Sequence, residues 1–296
     1  MEKQYSDCEG KASDNNGYAI NSSVSVAEID LDNFVVTVEV VPPHGGEPCG
    51  ILSALDALKN LPISGFSVAS NPVAKPHMSA MALCSLIQQK TGKFAIMHAT
   101  TRDNNRISLQ STFWGANALG IKHVLAVTGD FVALSERKIT SDVKDMDVFQ
   151  LIEMAKNSGM ITGAVLDFRP EINGLEKEVE RLEKKAAAGA MFAVTQPIYD
   201  RDMARTISIS TSHIDIPIIM GILPLRTSKH AEFLHNRVAG IVVPEKLREK
   251  MNHAKDPIAE GVANAREMLA IAKEFFRGAC IMPPFGHYEV MADILK

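Results

Sequence analysis

The chain has 296 residues, 46% of them hydrophobic and 22% charged, which is enough apolar material for one sizeable core. Its 31 basic and 35 acidic residues leave a net charge of −4, a balance that argues against a strongly basic nucleic-acid binder or a polybasic membrane anchor. No apolar run approaches the roughly 20 residues of a membrane helix, the opening residues lack the apolar centre of a secretory signal, and the mean hydropathy is +0.01. The four cysteines (Cys8, Cys49, Cys84 and Cys280) form no Cys-x-x-Cys pair, so the expectation is a cytoplasmic protein with reduced thiols and no metal centre of its own.

Residues 1–33 are rich in Ser, Asn and Asp and read as a mobile, largely irregular extension, with a short structured piece around residues 24–31. The pattern then changes. Residues 34–41 (FVVTVEVV) form a β-branched run that stops at Pro42-Pro43. Beyond it, strands are expected at 65–70, 94–100, 124–128, 164–168, 192–196, 216–223 and 278–282. Helical spacing lies between them at 50–60, 79–90, 105–119 (closed by Gly120), 148–157, 175–188, after Asp200, and at 229–236, 245–251 and 257–276. A last helix is expected at 288–295.

Strands that alternate with helices through short connections predict an α/β fold, a closed (β/α)8 TIM barrel over residues 34–296. No Gly-x-Gly-x-x-Gly or Walker sequence follows a strand, which weakens the doubly wound alternative.

Chemistry in such a barrel sits at the C-terminal ends of the strands, so polar residues there carry the information. Alternation along the first strand places Val35, Thr37, Glu39 and Val41 on the inner face, with Glu39 near its top. A carboxyl there is desolvated, its pKa should rise, and it suits a general acid at neutral pH. The same parity groups Phe94, Ile96, His98 and Thr100 on the third strand, and Val124, Ala126, Thr128 and Asp130 on the fourth. On the sixth it groups Phe192, Val194 and Gln196. Glu39, His98, Asp130 and Gln196 are thus expected to converge on one mouth. Each has a plainer reading beside it: a hydrogen-bonded structural His, a loop-capping Asp, a strand-ending Gln before Pro197. An acid within a run of valines is the hardest to explain as structural. Arg102 and Arg169 directly follow strands, where an anionic phosphate could bind, whereas Lys184 reads as part of a solvated helix face with Glu180.

Several short motifs then fall in a consistent order. They are Val38-Glu39-Val40-Val41-Pro42-Pro43, Leu119-Gly120-Ile121-Lys122-His123-Val124 with Thr128-Gly129-Asp130, Thr195-Gln196-Pro197, and Gly221-Ile222-Leu223-Pro224. Together they resemble the methylenetetrahydrofolate reductase family over roughly residues 34–290. The ending Met282-Pro283-Pro284-Phe285-Gly286 resembles the branch fused to homocysteine methyltransferases and found in acetogenic one-carbon pathways.

The resemblance implies a flavoprotein that reduces 5,10-methylenetetrahydrofolate to 5-methyltetrahydrofolate. Glu39 would be the general acid, Asp130 would act beside it and bind the pterin, and Gln196 would hydrogen-bond the pterin. His98, Thr100, Thr128, Gly129, Asp130, Arg169 and Lys185 would contact the flavin, FAD in most members and FMN as the alternative.

This chain departs from the family pattern at three places. Thr128 stands where many members have Arg before Gly-Asp, and Arg169 stands where they have His. The loop after Gly-Ile-Leu-Pro carries Arg226-Thr227-Ser228-Lys229 in place of the aromatic that stacks NAD(P)H. The donor expected from the resemblance is therefore either NAD(P)H or a reduced Fe–S partner subunit, in an oligomeric assembly. Two competing readings are a non-autonomous barrel subunit that docks such a partner, and a non-redox lyase or aldolase using Glu39 and Asp130. No strand-end lysine offers a Schiff-base nucleophile for an aldolase.

Overall fold

β-Branched and aromatic runs become the eight strands of the computed structural model: β1 (Val35–Val40), β2 (Gly65–Val68), β3 (Phe94–Thr100), β4 (His123–Val127), β5 (Ile161–Leu166), β6 (Phe192–Pro197), β7 (Ile218–Ile222) and β8 (Gly278–Ile281). All pair in parallel and in sequence order, and β8 closes on β1 through Thr37 opposite Cys280, so the sheet has no open edge. The structure describes residue 26 and residues 28–296, apart from 134, 136, 144, 169–173 and 239. Of the expected mobile extension, residue 26 and residues 28–33 are described, with Ile29 buried, and the rest lies outside the described residues.

The main helices between strands are α1 (Cys49–Ala54), α2 (Ala80–Thr91), α3 (Arg106–Ala118), α4 (Val148–Asn157), α5 (Gly174–Ala188) and α6 (Arg201–Ser210). Three more, α7 (Ser228–Arg237), α8 (Glu245–His253) and α9 (Pro257–Phe275), separate β7 from β8, and a short α10 (Met291–Ile294) ends the chain. Five of these helices start where a side chain accepts a first-turn amide: Asn105, Asp147, Asp200, Thr227 and Asp256. The helix expected over 50–60 is shorter, because the chain tightens after Ala54 into a 3-10 turn, Leu55–Leu58. Among the described residues no helix is long and apolar enough to cross a membrane.

The two faces of each strand feed separate cores. Val36, Val38 and Val40 pack outward against the helices, whereas Val35, Ile96, Leu125, Val194 and Ile219 fill the barrel. Its interior is organised around two glycine–phenylalanine pairs. Gly65 pairs with Phe94 across β2 and β3, and Gly163 pairs with Phe192 across β5 and β6. A Cβ on either glycine would lie 2.4 Å from the facing ring, so the absent side chain is what admits the phenyl group. This explains why β5 begins at Ile161, three residues before the expected 164. Thr162-Gly163 reads as a weak strand start, yet the glycine is required there by its neighbour.

The opposite end of the barrel is closed by the segment before β1. Ile29 is buried with Phe94, and its backbone N–H donates to His123 Nε2 at 3.0 Å. The His123 ring lies 4.9 Å from that of Phe94, and burial holds its pKa down at about 4. An unfolded histidine takes up its proton near pH 6.5, so the folded state is penalised as pH falls from there towards 4. The His123 contribution to stability is fullest above pH 6.5 and falls by about 3 kcal/mol over that interval. Urea unfolding between pH 7 and 4, with wild type compared against His123→Gln, which keeps an acceptor without titrating, isolates this drop.

Candidate active site

At the C-terminal ends of the strands a cavity of about 270 Å³ opens, with an apolar wall from Leu125, Val127 and Val165 and a polar set of Glu39, His98 and Gln196. Glu39 reaches it because β1 alternates cleanly and its partner in register is Ser67 on β2. Desolvation, reinforced by the negative charge of Asp130, raises the Glu39 pKa from 4.5 to about 7. Burial lowers the His98 pKa to about 4, so its ring is neutral, and Nε2 lies 2.8 Å from Ser67 Oγ. Gln196 reaches the cavity from a bulge: between Val194 and Pro197 the pairing of β6 with β7 slips by one residue. Thr195 Oγ1 stabilises the slip by accepting the Gly221 amide at 2.9 Å and donating to the Gln196 carbonyl at 2.7 Å.

The fourth strand departs from the expected parity. Val124 and Ala126 face the helices, and Leu125 and Val127 face the barrel. The strand starts one residue earlier, at His123, which points inward to meet Ile29. Because a parallel strand buried on both faces is apolar throughout, alternation could not fix its register.

Asp130 is accordingly an exposed residue on the rim and does not line the cavity wall. Its Oδ2 accepts the Val73 amide at 2.6 Å, tying down the loop after β2, where Asn71, Val73 and Ala74 all have positive φ. Thr128 is exposed beside it. Gly129, at φ +83°, packs so closely on Arg102 and Thr100 that a Cβ would come within 3.2–3.3 Å of both.

Arg102 is buried and fully engaged, which removes it as a phosphate ligand. Its Nε and Nη2 grip Asp103 at 2.6 and 2.7 Å, Nη1 donates to the Asp130 carbonyl at 3.0 Å, and Nη2 donates to the Asn71 carbonyl at 2.9 Å. Thr100 Oγ1 and Asn71 Nδ2 complete the shell of Asp103 at 3.2 and 3.0 Å. One guanidinium thus fastens the loops after β2, β3 and β4. Lys185 is also buried, donating from Nζ to the Val165 carbonyl at 2.6 Å. Burial, with Arg181 nearby, lowers its pKa to about 8 against the opposing pull of Glu178 and Asp167. Arg169 lies outside the described residues.

Alternation by itself passed over two residues of the site, Ser67 and Cys280. Cys280 borders the cavity beside Thr37 and Ser67, and burial beside the Glu39 charge pushes its thiol pKa up to about 12. Each is small and weakly polar, and only the strand pairing brings them beside Glu39. The described residues hold no cluster of three or more His, Cys, Asp or Glu able to hold a metal ion.

A closed parallel barrel with a desolvated acid, a neutral imidazole and an amide at its C-terminal mouth defines a (β/α)8-barrel enzyme equipped for proton transfer beside an apolar slot. The model of the family described as methylenetetrahydrofolate reductase matches residues 26–283, and the chain belongs to that family. It is 26% identical over 223 residues to the 5,10-methylenetetrahydrofolate reductases of Salmonella typhimurium (strain LT2) and Escherichia coli (strain K12). These matches cover 72% of this chain and 71% of each relative. Among solved structures, an uncharacterised Clostridium thermocellum protein described as binding two copies of 5-methyl-5,6,7,8-tetrahydrofolic acid has the same fold. Its TM-score is 0.63 at 15% identity, covering 88% of this chain and 93% of the other. A 2,3-dimethylmalate lyase shares the barrel at TM-score 0.50 and 17% identity, covering 89% and 80% of the two chains.

Proposed function

We propose that the chain reduces 5,10-methylenetetrahydrofolate to 5-methyltetrahydrofolate at this mouth, with hydride from a reduced flavin and Glu39 as the general acid. The observation that carries the reading is the Glu39 carboxyl, desolvated at the cavity with a pKa of about 7 and so able to hold a proton at neutral pH and release it. Glu39 delivers that proton to the ring nitrogen that leaves as the imidazolidine opens. The charge of Asp130, near enough to raise the Glu39 pKa, favours the iminium cation left on the folate. Gln196 offers both a donor and an acceptor to the amide edge of a pterin.

The cavity suits the ring system that FAD and FMN share. Leu125, Val127 and Val165 supply an apolar wall, and His98 supplies an uncharged polar contact. When bound there, the flavin supplies the hydride. The purified chain, reconstituted with FAD or FMN and reduced anaerobically with dithionite, should be reoxidised by methylenetetrahydrofolate, as followed by the visible flavin band. Protein that stays colourless with both flavins would overturn the reading.

A second reading concerns the electron source, a reduced Fe–S partner subunit in place of NAD(P)H. It draws on three bulky apolar side chains exposed on the loops after β2, β4 and β8: Val73 (71% exposed), Phe131 (79%) and Phe285 (81%). Flavin reduction by dithionite but by neither NADH nor NADPH would favour the partner.

A further inference from the structure

Ser67 is 1% exposed, stands opposite Glu39 in the β1–β2 register, and carries its hydroxyl 2.8 Å from His98 Nε2. Beneath it the Phe94 ring fills the space left by Gly65, the inward residue two positions earlier on the same strand, so the floor under this hydrogen bond is closely packed. On its other side lies Cys280, the register partner of Thr37 across β1 and β8.

We propose that Ser67 is a positioning residue that fixes the protonation pattern of His98: its O–H donates to Nε2, so the ring carries its single proton on Nδ1. The reasoning is one of hydrogen-bond strengths. A bare imidazole nitrogen is a strong acceptor and a thiol sulfur a weak one, so the serine proton goes to His98 in preference to the neighbouring Cys280 sulfur. His98 is left presenting an N–H from an uncharged ring at the cavity it lines. The group it would take is a neutral acceptor, a carbonyl oxygen or an aza nitrogen of a flat heterocycle, rather than a phosphate or carboxylate. This rests on the proposed function only for which heterocycle is bound; the tautomer is a property of the chain.

The test is histidine-selective ¹⁵N NMR of the full chain, with the His98 signals assigned by their loss in His98→Asn. Wild type should show a protonated Nδ1 and a bare Nε2. Ser67→Ala, which removes only an oxygen, should shift the population towards the Nε2-protonated form. It should also lower turnover about tenfold, the worth of one hydrogen bond, while the melting midpoint moves little. A wild-type His98 protonated on Nε2, or the same nitrogen pattern in Ser67→Ala, would overturn the proposal. A chain that has the expected tautomer yet reduces no folate would instead refute the functional reading and leave the role of Ser67 standing.

Discussion

Glu39→Gln should abolish folate turnover, by about 10²–10⁴-fold, while the chain still takes up flavin to the same extent. Stopped-flow reoxidation of the reduced flavin by methylenetetrahydrofolate measures the first quantity, and the visible spectrum measures the second. The amide keeps the shape of the carboxyl and cannot deliver a proton.

The same variant should be more stable than wild type in mild alkali. A carboxyl whose pKa is raised from 4.5 to about 7 contributes its full stability below 4.5, where both folded and unfolded states are protonated, and loses it as pH rises through 7. Above pH 7 wild type has forgone about 2–3 kcal/mol that a neutral glutamine retains. Gained stability with lost turnover is the signature of a group kept for chemistry. Turnover of wild type should fall as pH rises through about 7, and Asp130→Asn should move that limb to lower pH by removing a charge that raises the Glu39 pKa. Equal stability of wild type and Glu39→Gln at pH 8 would contradict the desolvated acid.

The other large effect is expected at Arg102. Arg102→Met should cost about 3–5 kcal/mol and lower the melting midpoint of flavin-free protein by roughly 10 °C, because it strands Asp103 and leaves the Asn71 and Asp130 carbonyls without their donor. Arg102→Lys should recover only part of this, since an ammonium cannot make the two-pronged contact with Asp103 and reach both carbonyls. Thermal melts without cofactor separate this role from phosphate binding. A phosphate ligand would leave the flavin-free melt unchanged and weaken only flavin affinity.

Much of the barrel was legible in the chain because its strands and helices differ in period and punctuation. The helix expected over 148–157 matches α4, with its Asp147–Gln150 capping box, and residues 94–100 match β3. The mouth was legible wherever a polar residue interrupts an apolar strand of known parity, as at Glu39, His98 and Gln196. Parity failed on β4, whose apolar run gives no phase, and so Asp130 was expected beside Gln196 when it holds the Val73 amide on the rim. Arg102 was ambiguous because a cation following a strand looks the same whether it waits for a phosphate or is already spent on Asp103.

What the sequence determined by itself was local: the alternation of β and α, the caps, and the presence of an acid at the end of the first strand. These follow from periodicity and from interactions between near neighbours, which a linear chain displays. Only the tertiary structure decided that Gly65 and Gly163 make room for Phe94 and Phe192, that Ile29 and His123 close the barrel floor, and that Ser67 meets His98. Those contacts join residues from different strands and loops, and their partners are set by closure of the barrel and its register, which no single stretch of the chain contains.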